Sequence, residues 1–174
     1  ASRTLKAAQS LYESRKCITY PRTDSRHLPD DMAPQVDKAV RALPEAYRAI
    51  AEGIQRTGGQ LPSPRRMYDA GKVTDHHAII PTHALKENIL ESLPKGEQEL
   101  LKLLAIRLIT AAGEAHRYSE TTVILDCSDQ RFTAKGKTIL QSGWKSVEEH
   151  YHSTLATRKS EKKTETPLPR LEKD

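Results

Sequence analysis

The sequence predicts an α+β fold, mainly helical at first, with a short antiparallel β segment behind the helices. Apolar residues recur at helical spacing through much of residues 1–117, most strongly in KGEQELLKLLAIRLITAAG, residues 95–113. The stretch YSETTVILDC, residues 118–127, instead alternates in the manner of a strand. This change of period predicts a helical domain at 1–117, a β segment at 118–150 and a polar tail or linker at 151–174.

Four segments of the helical part carry apolar stripes at the spacing of a helix. Ser2 is the expected N-cap of the first, and Pro44 is expected to open the third. Gly113 is expected to end the fourth, and the Gly/Pro-rich residues 57–66 predict a loop. The stripes are Leu5, Ala8, Leu11 and Tyr12; Met32, Val36, Ala39, Val40 and Leu43; Tyr47, Ile50 and Ile54; and Leu100, Leu101, Leu104, Leu108 and Ile109.

The β segment predicts a hairpin. The stretch RFTAKGKTIL, residues 131–140, supplies a second strand around Phe132, with Gly136 as a bend or bulge. Because an isolated hairpin is marginally stable, we expect residues 118–147 to be partly unpaired or paired with a neighbouring molecule.

Composition bounds the class of protein only loosely. The 174 residues correspond to one domain, or to one domain and a piece of another. The net charge of +5 is compatible with a nucleic-acid partner but does not require one. Two distant cysteines indicate neither a disulfide framework nor a zinc ribbon, and they fit a reducing cytosol. No apolar run is long enough to span a bilayer, so no membrane partner is expected.

Because the chain opens without Met, within a helical pattern, we expect it to be part of a longer protein.

The stretch CITYPRTDSRHLP, residues 17–29, has the residue types for covalent phosphoryl transfer. Pro21 pushes Tyr20 toward an extended backbone, in which Tyr20 and Arg22 share a face. A phenol is a poor nucleophile at neutral pH, and a neighbouring guanidinium favours the phenolate and clamps phosphate oxygens. Thr23, Asp24 and Ser25 are placed to hold the turn and orient the arginine. Taken alone, this short pattern favours a structural tyrosine in an ordinary Tyr-Pro turn.

A second stretch, KVTDHHAIIPT, places two histidines beside an aspartate at residues 72–82. Either His76 or His77 could donate to a phosphate oxygen or carry a proton. A metal site is disfavoured, because adjacent residues seldom point at one ion and no third ligand follows at helical spacing. Taken alone, this stretch favours one solvated histidine and one in the core.

Together the two stretches resemble the type IA DNA topoisomerases. ITYPRTDSRHLP is similar to their active-site tyrosine segment, and KVTDHHAIIPT to their downstream histidine motif. The His-His and Ile-Ile-Pro-Thr form is nearest to the topoisomerase III branch. The helix expected before the tyrosine fits, and FTAKGKTILQSGWKSV resembles the returning β segment of the family's gate arch. The resemblance extends to about Val147.

The resemblance implies a role for individual residues. It implies that Tyr20 is the nucleophile, that Arg22 contacts the scissile phosphate and that His76 helps to position it. Thr23 and Asp24 have supporting roles at most, and His77 receives no firm role. Phosphate or DNA contacts are expected from His76, Thr23, Asp24, Arg26, Lys72 and His77, with Arg65 and Arg66 as further basic candidates whose alternative is a solvated surface.

The resemblance also implies the reaction. Members of the family break and rejoin single-stranded DNA through a transient 5′-phosphotyrosine, without ATP, and change its linking number. Their Mg²⁺ is held by an acidic cluster on another domain. Asp30, Asp31, Asp126 and Asp129 lack that spacing, so we expect no metal ligand here and no activity from this chain alone. The expected partners are single-stranded DNA and the remaining domains of the parent protein, in the cytoplasm and nucleoid of a bacterium.

Two other classes of DNA-binding protein are open to the sequence. A helical bundle followed by a hairpin could be a winged-helix-like duplex binder, in which Tyr20 is structural. A tyrosine recombinase would need arginines and histidines ahead of its tyrosine, and Tyr20 lies too near the start of the chain for that.

Overall fold

The computed structural model describes residues 1–48 and 67–154, and it confirms the predicted α+β class. Two short 3-10 turns, Asp30–Met32 and Ala70–Lys72, accompany the longer elements. The helices are α1 (Ser2–Glu13), α2 (Ala33–Ala42), α3 (Glu45–Arg48), α4 (Glu87–Ser92), α5 (Lys95–Ala112) and α6 (Trp144–Thr154). The strands are β1 (Arg117–Cys127) and β2 (Gln130–Gln141).

Helix α5 lies at the centre of the core, where it packs against α1, α2, α3 and α6. Its buried residues are Leu101, Ala105, Ile106, Leu108, Ile109 and Ala112. From the predicted stripe, Leu101, Leu108 and Ile109 are buried as expected, whereas Leu100 and Leu104 are half-buried at its margin. Since each fully buried Leu or Ile stabilises the fold by about 1.5–3 kcal/mol, this stripe anchors the helical body.

Several element ends differ from the prediction. Ser2 is the first residue of α1 rather than its cap, because Ala1 precedes it and no side chain caps the helix. Helices α4 and α6 were not predicted. In α6, Val147 and Tyr151 lie one turn apart and are both buried, but polar neighbours hide this short stripe in the sequence.

Some predictions fall outside the described residues, namely those for Ile50, Ile54, the loop at 57–66 and most of the tail. The predicted domain boundaries stay a prediction.

Strands β1 and β2 form a two-stranded antiparallel sheet. Ser128 and Asp129 make the turn with φ of 47° and 65°, as a two-residue hairpin loop of right-handed twist requires. Pairing is continuous from Tyr118 to Cys127, so β1 is paired with β2 along this whole stretch. The predicted bulge at Gly136 is wrong. Gly136 pairs in register with Thr121, and the irregularity lies between Arg117 and Tyr118 instead.

Gly143 connects the hairpin to α6, and its backbone conformation and close surroundings disfavour any residue type with a Cβ. Its φ is 52°, in the left-handed region. A Cβ added there would lie 2.4 Å from the carbonyl oxygen of Ala115 and 2.6 Å from that of Glu114. The next residue, Trp144, donates its backbone N–H to Glu114 O at 3.0 Å. This close crossing of two backbones fixes where the hairpin leaves the helical body.

The stability of the fold is expected to depend on pH above 10, because of Tyr47. Burial, assisted by the nearby Glu99 and Glu87 carboxylates, raises the pKa of Tyr47 from 10.0 to about 12. Below pH 10 the phenol is neutral in both the folded and the unfolded chain, and its contribution is complete. Between pH 10 and 12 only the unfolded chain ionises, so about 2–3 kcal/mol of stability is lost as the pH rises.

Urea unfolding of the parent chain and of Tyr47→Phe at pH 9 and pH 11.5 measures this loss. The parent should lose more stability than Tyr47→Phe over that range. The exposed Tyr118 serves as control, since Tyr118→Phe should follow the parent. Parallel curves for the parent and Tyr47→Phe would contradict the prediction.

Candidate active site

The two motif segments are joined by backbone pairing. Ile18 and Pro81 form an antiparallel bridge. Thr19 N donates to Ile80 O at 3.0 Å, and Thr82 N donates to Cys17 O at 2.8 Å. The Thr19 hydroxyl adds two further bonds, donating to Ala78 O at 3.3 Å and accepting from Ile80 N at 3.0 Å. The residue before the tyrosine is therefore held by both its backbone and its side chain.

The same two segments meet again beyond the tyrosine. The Thr23 hydroxyl donates to His76 O at 2.7 Å, and that of Ser25 donates to Lys72 O at 2.8 Å. Thr23 Oγ1 also accepts the Ser25 N–H at 3.0 Å, so these hydroxyls hold the turn as predicted for Thr23 and Ser25. Ala78 N donates to His27 O at 2.9 Å. The segment that carries Tyr20 is thus anchored on both sides.

Tyr20 lies between two other aromatic rings. The His76 ring is tilted by 46° with its centroid 4.2 Å from that of Tyr20. The Tyr12 ring, at the end of α1, meets Tyr20 edge to face at 5.3 Å. Tyr20 is half-buried, and within the described part of the chain its hydroxyl makes no hydrogen bond. The ring is fixed by packing, while the oxygen has no hydrogen-bond partner among the described residues.

The cations predicted near the tyrosine fall into two groups. Arg22 and Arg26 are exposed, and no carboxylate of residues 1–48 or 67–154 pairs with either. Lys72 instead lies 2.8 Å from the Asp69 carboxylate, and this hydrogen bond lowers the pKa of Asp69. A phosphate would therefore have to compete with Asp69 for Lys72, but not with any described carboxylate for Arg22.

The two histidines differ in their surroundings. His76 is exposed apart from its contact with Tyr20, and its ring nitrogens make no hydrogen bond within the described residues. His77 is half-buried, with Nδ1 2.8 Å from Ala78 O, a bond in which Nδ1–H donates. Only His76 of the pair therefore lies against Tyr20, and Asp24 is exposed with no polar contact among the described side chains.

Two residues of this site were missed by sequence reasoning. Tyr12 was placed on the apolar stripe of the first helix, and it does pack against the core, but its ring also supports Tyr20. Lys16 has its ammonium 5.5 Å from the centroid of the Tyr12 ring. The position of Tyr12 near the end of a helix was a sequence signal, since such residues can contact the segment that follows. The signal was missed because packing against the core already explained the helical spacing of Tyr12.

No group of three or more His, Cys, Asp and Glu side chains that could hold a metal ion occurs among residues 1–48 and 67–154. In the same residues, no helix combines the length and apolar character needed to cross a membrane.

Comparisons with known proteins show the family to which this chain belongs. A family model described as DNA topoisomerase matches residues 1–174. DNA topoisomerase 3 of Bacillus subtilis (strain 168) is 37% identical over 174 residues, which cover 99% of this chain and 23% of that protein. DNA topoisomerase 3 of Bacillus licheniformis is 36% identical over the same shares of the two chains.

The chain therefore belongs to this DNA topoisomerase family, and its resemblance to the topoisomerase III-like branch of the type IA enzymes is confirmed. It spans about a quarter of the length of the curated relatives it matches, 23% in the two proteins compared above.

Proposed function

We propose that this chain carries the tyrosine half of a type IA topoisomerase active site, which breaks and rejoins single-stranded DNA. One observation carries the proposal. Tyr20 is held by rings on two sides, its hydroxyl has no partner among residues 1–48 and 67–154, and its segment is paired with the motif of His76. A structural tyrosine in a Tyr-Pro turn would need neither a hydroxyl without a described partner nor an exposed Arg22, two residues later, that pairs with no described carboxylate.

In the proposed reaction, Tyr20 Oη attacks a backbone phosphorus of one DNA strand. The Oη–P bond forms, the P–O3′ bond breaks, the phenolic proton leaves to a base and the 3′-oxygen gains a proton. Rejoining reverses each step after another strand has passed through the gap. One phosphodiester replaces another, so no nucleotide is hydrolysed and the linking number is the property that changes.

The residues near Tyr20 have separate parts in this proposal. Arg22 binds a non-bridging oxygen and stabilises the charge that develops on it. His76, which already contacts the Tyr20 ring, donates to the same phosphate. Thr23 acts indirectly, because its hydroxyl fixes the backbone of His76. Arg26 binds the strand further along, whereas Asp24 and His77 have no direct part.

The site is proposed to be completed by residues outside this chain. Mg²⁺ and the acidic groups that assist proton transfer would belong to another domain, as the resemblance to the family implies. Such a division would couple cleavage to closure of the two domains. This chain with Mg²⁺ is therefore proposed not to relax supercoiled plasmid.

The test is fluorescence anisotropy of a labelled single strand and of its duplex, titrated with this chain across a salt series. Single-strand binding should be preferred. Arg22→Ala should weaken single-strand binding about tenfold, since a charge-assisted contact is lost. The salt slope, which is the slope of log K against log [salt], should become shallower by about 0.7, because one phosphate contact is lost. Arg22→Lys should retain the slope but lose part of the affinity, because the bidentate geometry is lost.

Arg41→Ala is the matched control. Arg41 is an exposed arginine on α2 that pairs with Asp37, so its removal changes the net charge equally without touching the tyrosine segment. Duplex preference that is indifferent to Arg22 would contradict the proposal and favour the winged-helix-like alternative.

A further inference from the structure

The turn that follows helix α1 contains a residue in a backbone conformation that is unusual for its type. Lys16 has φ of 57°, in the left-handed region. The other described non-glycine residues with positive φ are Ser128 and Asp129, where the hairpin turn requires it. Glycine is the usual residue just past a helix end, because it has no Cβ to clash there. A lysine at this position is therefore disfavoured by its backbone and needs another reason.

The backbone around Lys16 is held firmly by the rest of the fold. Cys17 N donates to Leu11 O at 2.9 Å, which closes the end of α1. The Thr82 hydroxyl donates to Lys16 O at 2.6 Å, and Thr82 N donates to Cys17 O at 2.8 Å. These bonds explain why the backbone turns left here. They use only main-chain atoms of Lys16, so they would be served equally well by glycine.

The side chain of Lys16 lies on the aromatic group that surrounds Tyr20. Its ammonium is 5.5 Å from the Tyr12 ring centroid, within the range of a cation–π contact. Tyr12 in turn meets Tyr20 edge to face at 5.3 Å. Lys16 is exposed, and no described carboxylate pairs with it. The lysine thus presents a cation that no described carboxylate neutralises, against a ring that itself contacts Tyr20.

We infer that Lys16 and Tyr12 form a second DNA contact, in which Lys16 binds a backbone phosphate neighbouring the one that Tyr20 attacks. The inference rests on the proposed function. The contact of the Lys16 ammonium with the Tyr12 ring reduces the rotamer freedom that binding would otherwise remove. The ligand is the phosphodiester backbone of a single strand, with no preference for base sequence, because a point charge reads phosphate and not base edges.

The decisive variant is Lys16→Gly, because its two expected effects have opposite signs. Glycine relieves the left-handed strain, so the thermal unfolding midpoint of the chain should rise by about 2–4 °C. Removing the ammonium should weaken single-strand binding about threefold, as for an exposed ion pair, and should make the salt slope shallower by about 0.7. Lys16→Arg should restore the slope.

The binding is measured with Tyr20→Phe present in every sample, so that no covalent product forms. Lys95→Ala, which removes an exposed lysine at the start of α5, should leave both affinity and slope unchanged. If Lys16→Gly raises the midpoint and leaves both binding quantities unchanged, the lysine is merely solvated and the inference is overturned.

A second variant guards against a change in the end of α1. Asparagine tolerates the left-handed region and carries no charge, so Lys16→Asn should reproduce the loss of binding with little change in stability. Unchanged binding in Lys16→Asn overturns the inference even if Lys16→Gly misfolds. Failure of the proposed function would show differently, as absence of a covalent adduct from the longer protein with Tyr20 intact and Mg²⁺ present, whatever residue occupies position 16.

Discussion

Tyr20→Phe is expected to abolish covalent attachment of DNA, in the longer protein in which we place this chain. The readout is a 3′-labelled single strand incubated with protein and Mg²⁺, then separated on a denaturing gel, where a 5′-phosphotyrosine adduct migrates with the protein. Adduct formation and plasmid relaxation should both fall by at least about a thousandfold, because the variant has no nucleophile and the remaining groups cannot replace it.

The expected loss is chemical and not structural. Phenylalanine lacks only the hydroxyl, which makes no hydrogen bond among the described residues, and the ring can keep its contacts with Tyr12 and His76. Single-strand affinity should therefore stay within about twofold of the parent, since no charged contact is removed. Tyr118→Phe, at an exposed tyrosine of the hairpin, is the matched control and should keep full activity. An adduct that persists in Tyr20→Phe would show that another residue attacks the phosphate.

Gly143→Ala is expected to destabilise the fold strongly, although it adds only one methyl group. The new methyl would lie 2.4 Å from the carbonyl oxygen of Ala115, and both partners are backbone, so neither can move without shifting the junction of hairpin and helix. The positive φ of 52° adds a further cost of about 1–2 kcal/mol for a residue with a Cβ. Together these effects should lower the free energy of unfolding by about 3 kcal/mol.

Trp144 offers a local probe of that change, because it is the only tryptophan and follows Gly143 directly. Urea unfolding followed by its fluorescence should shift to lower urea in Gly143→Ala. Gly96→Ala is the control: Gly96 lies in α5 with nothing within 4 Å of an added Cβ, so alanine there should stabilise by about 0.5–1 kcal/mol. Equal midpoints for the parent and Gly143→Ala would contradict the geometry of the junction.

The sequence predicted those parts of the fold that depend on local pattern. The apolar spacing of α5 and the alternation of β1 each extend over many residues of one element. A single residue that departs from the pattern therefore does not obscure it. Gly136 shows the limit of such reasoning. A glycine in a strand often marks a bulge, but here its neighbours keep the ladder regular and the irregularity lies at Tyr118, where the strand leaves the helical body.

The candidate site was predicted only in part, because its contacts join residues far apart in sequence. The motifs indicated that Tyr20 and His76 belong together, and the structure places their rings 4.2 Å apart. The roles assigned to the site residues stay predictions. Tyr12 and Lys16 escaped notice for different reasons: the apolar spacing of Tyr12 already had an explanation, and the strained backbone of Lys16 is invisible without coordinates.

The pairing on either side of Tyr20 has a mechanical consequence. If the tyrosine holds a DNA end while another strand passes, any pull on that strand is transmitted to the backbone at residue 20. On one side the load reaches the bonds of Thr19 with Ala78 and Ile80, and on the other the bonds of Thr23 with His76 and of His27 with Ala78. These bonds share the force between two chain segments. The broken strand would then be tethered to the helical body as a whole, and not to a single flexible loop.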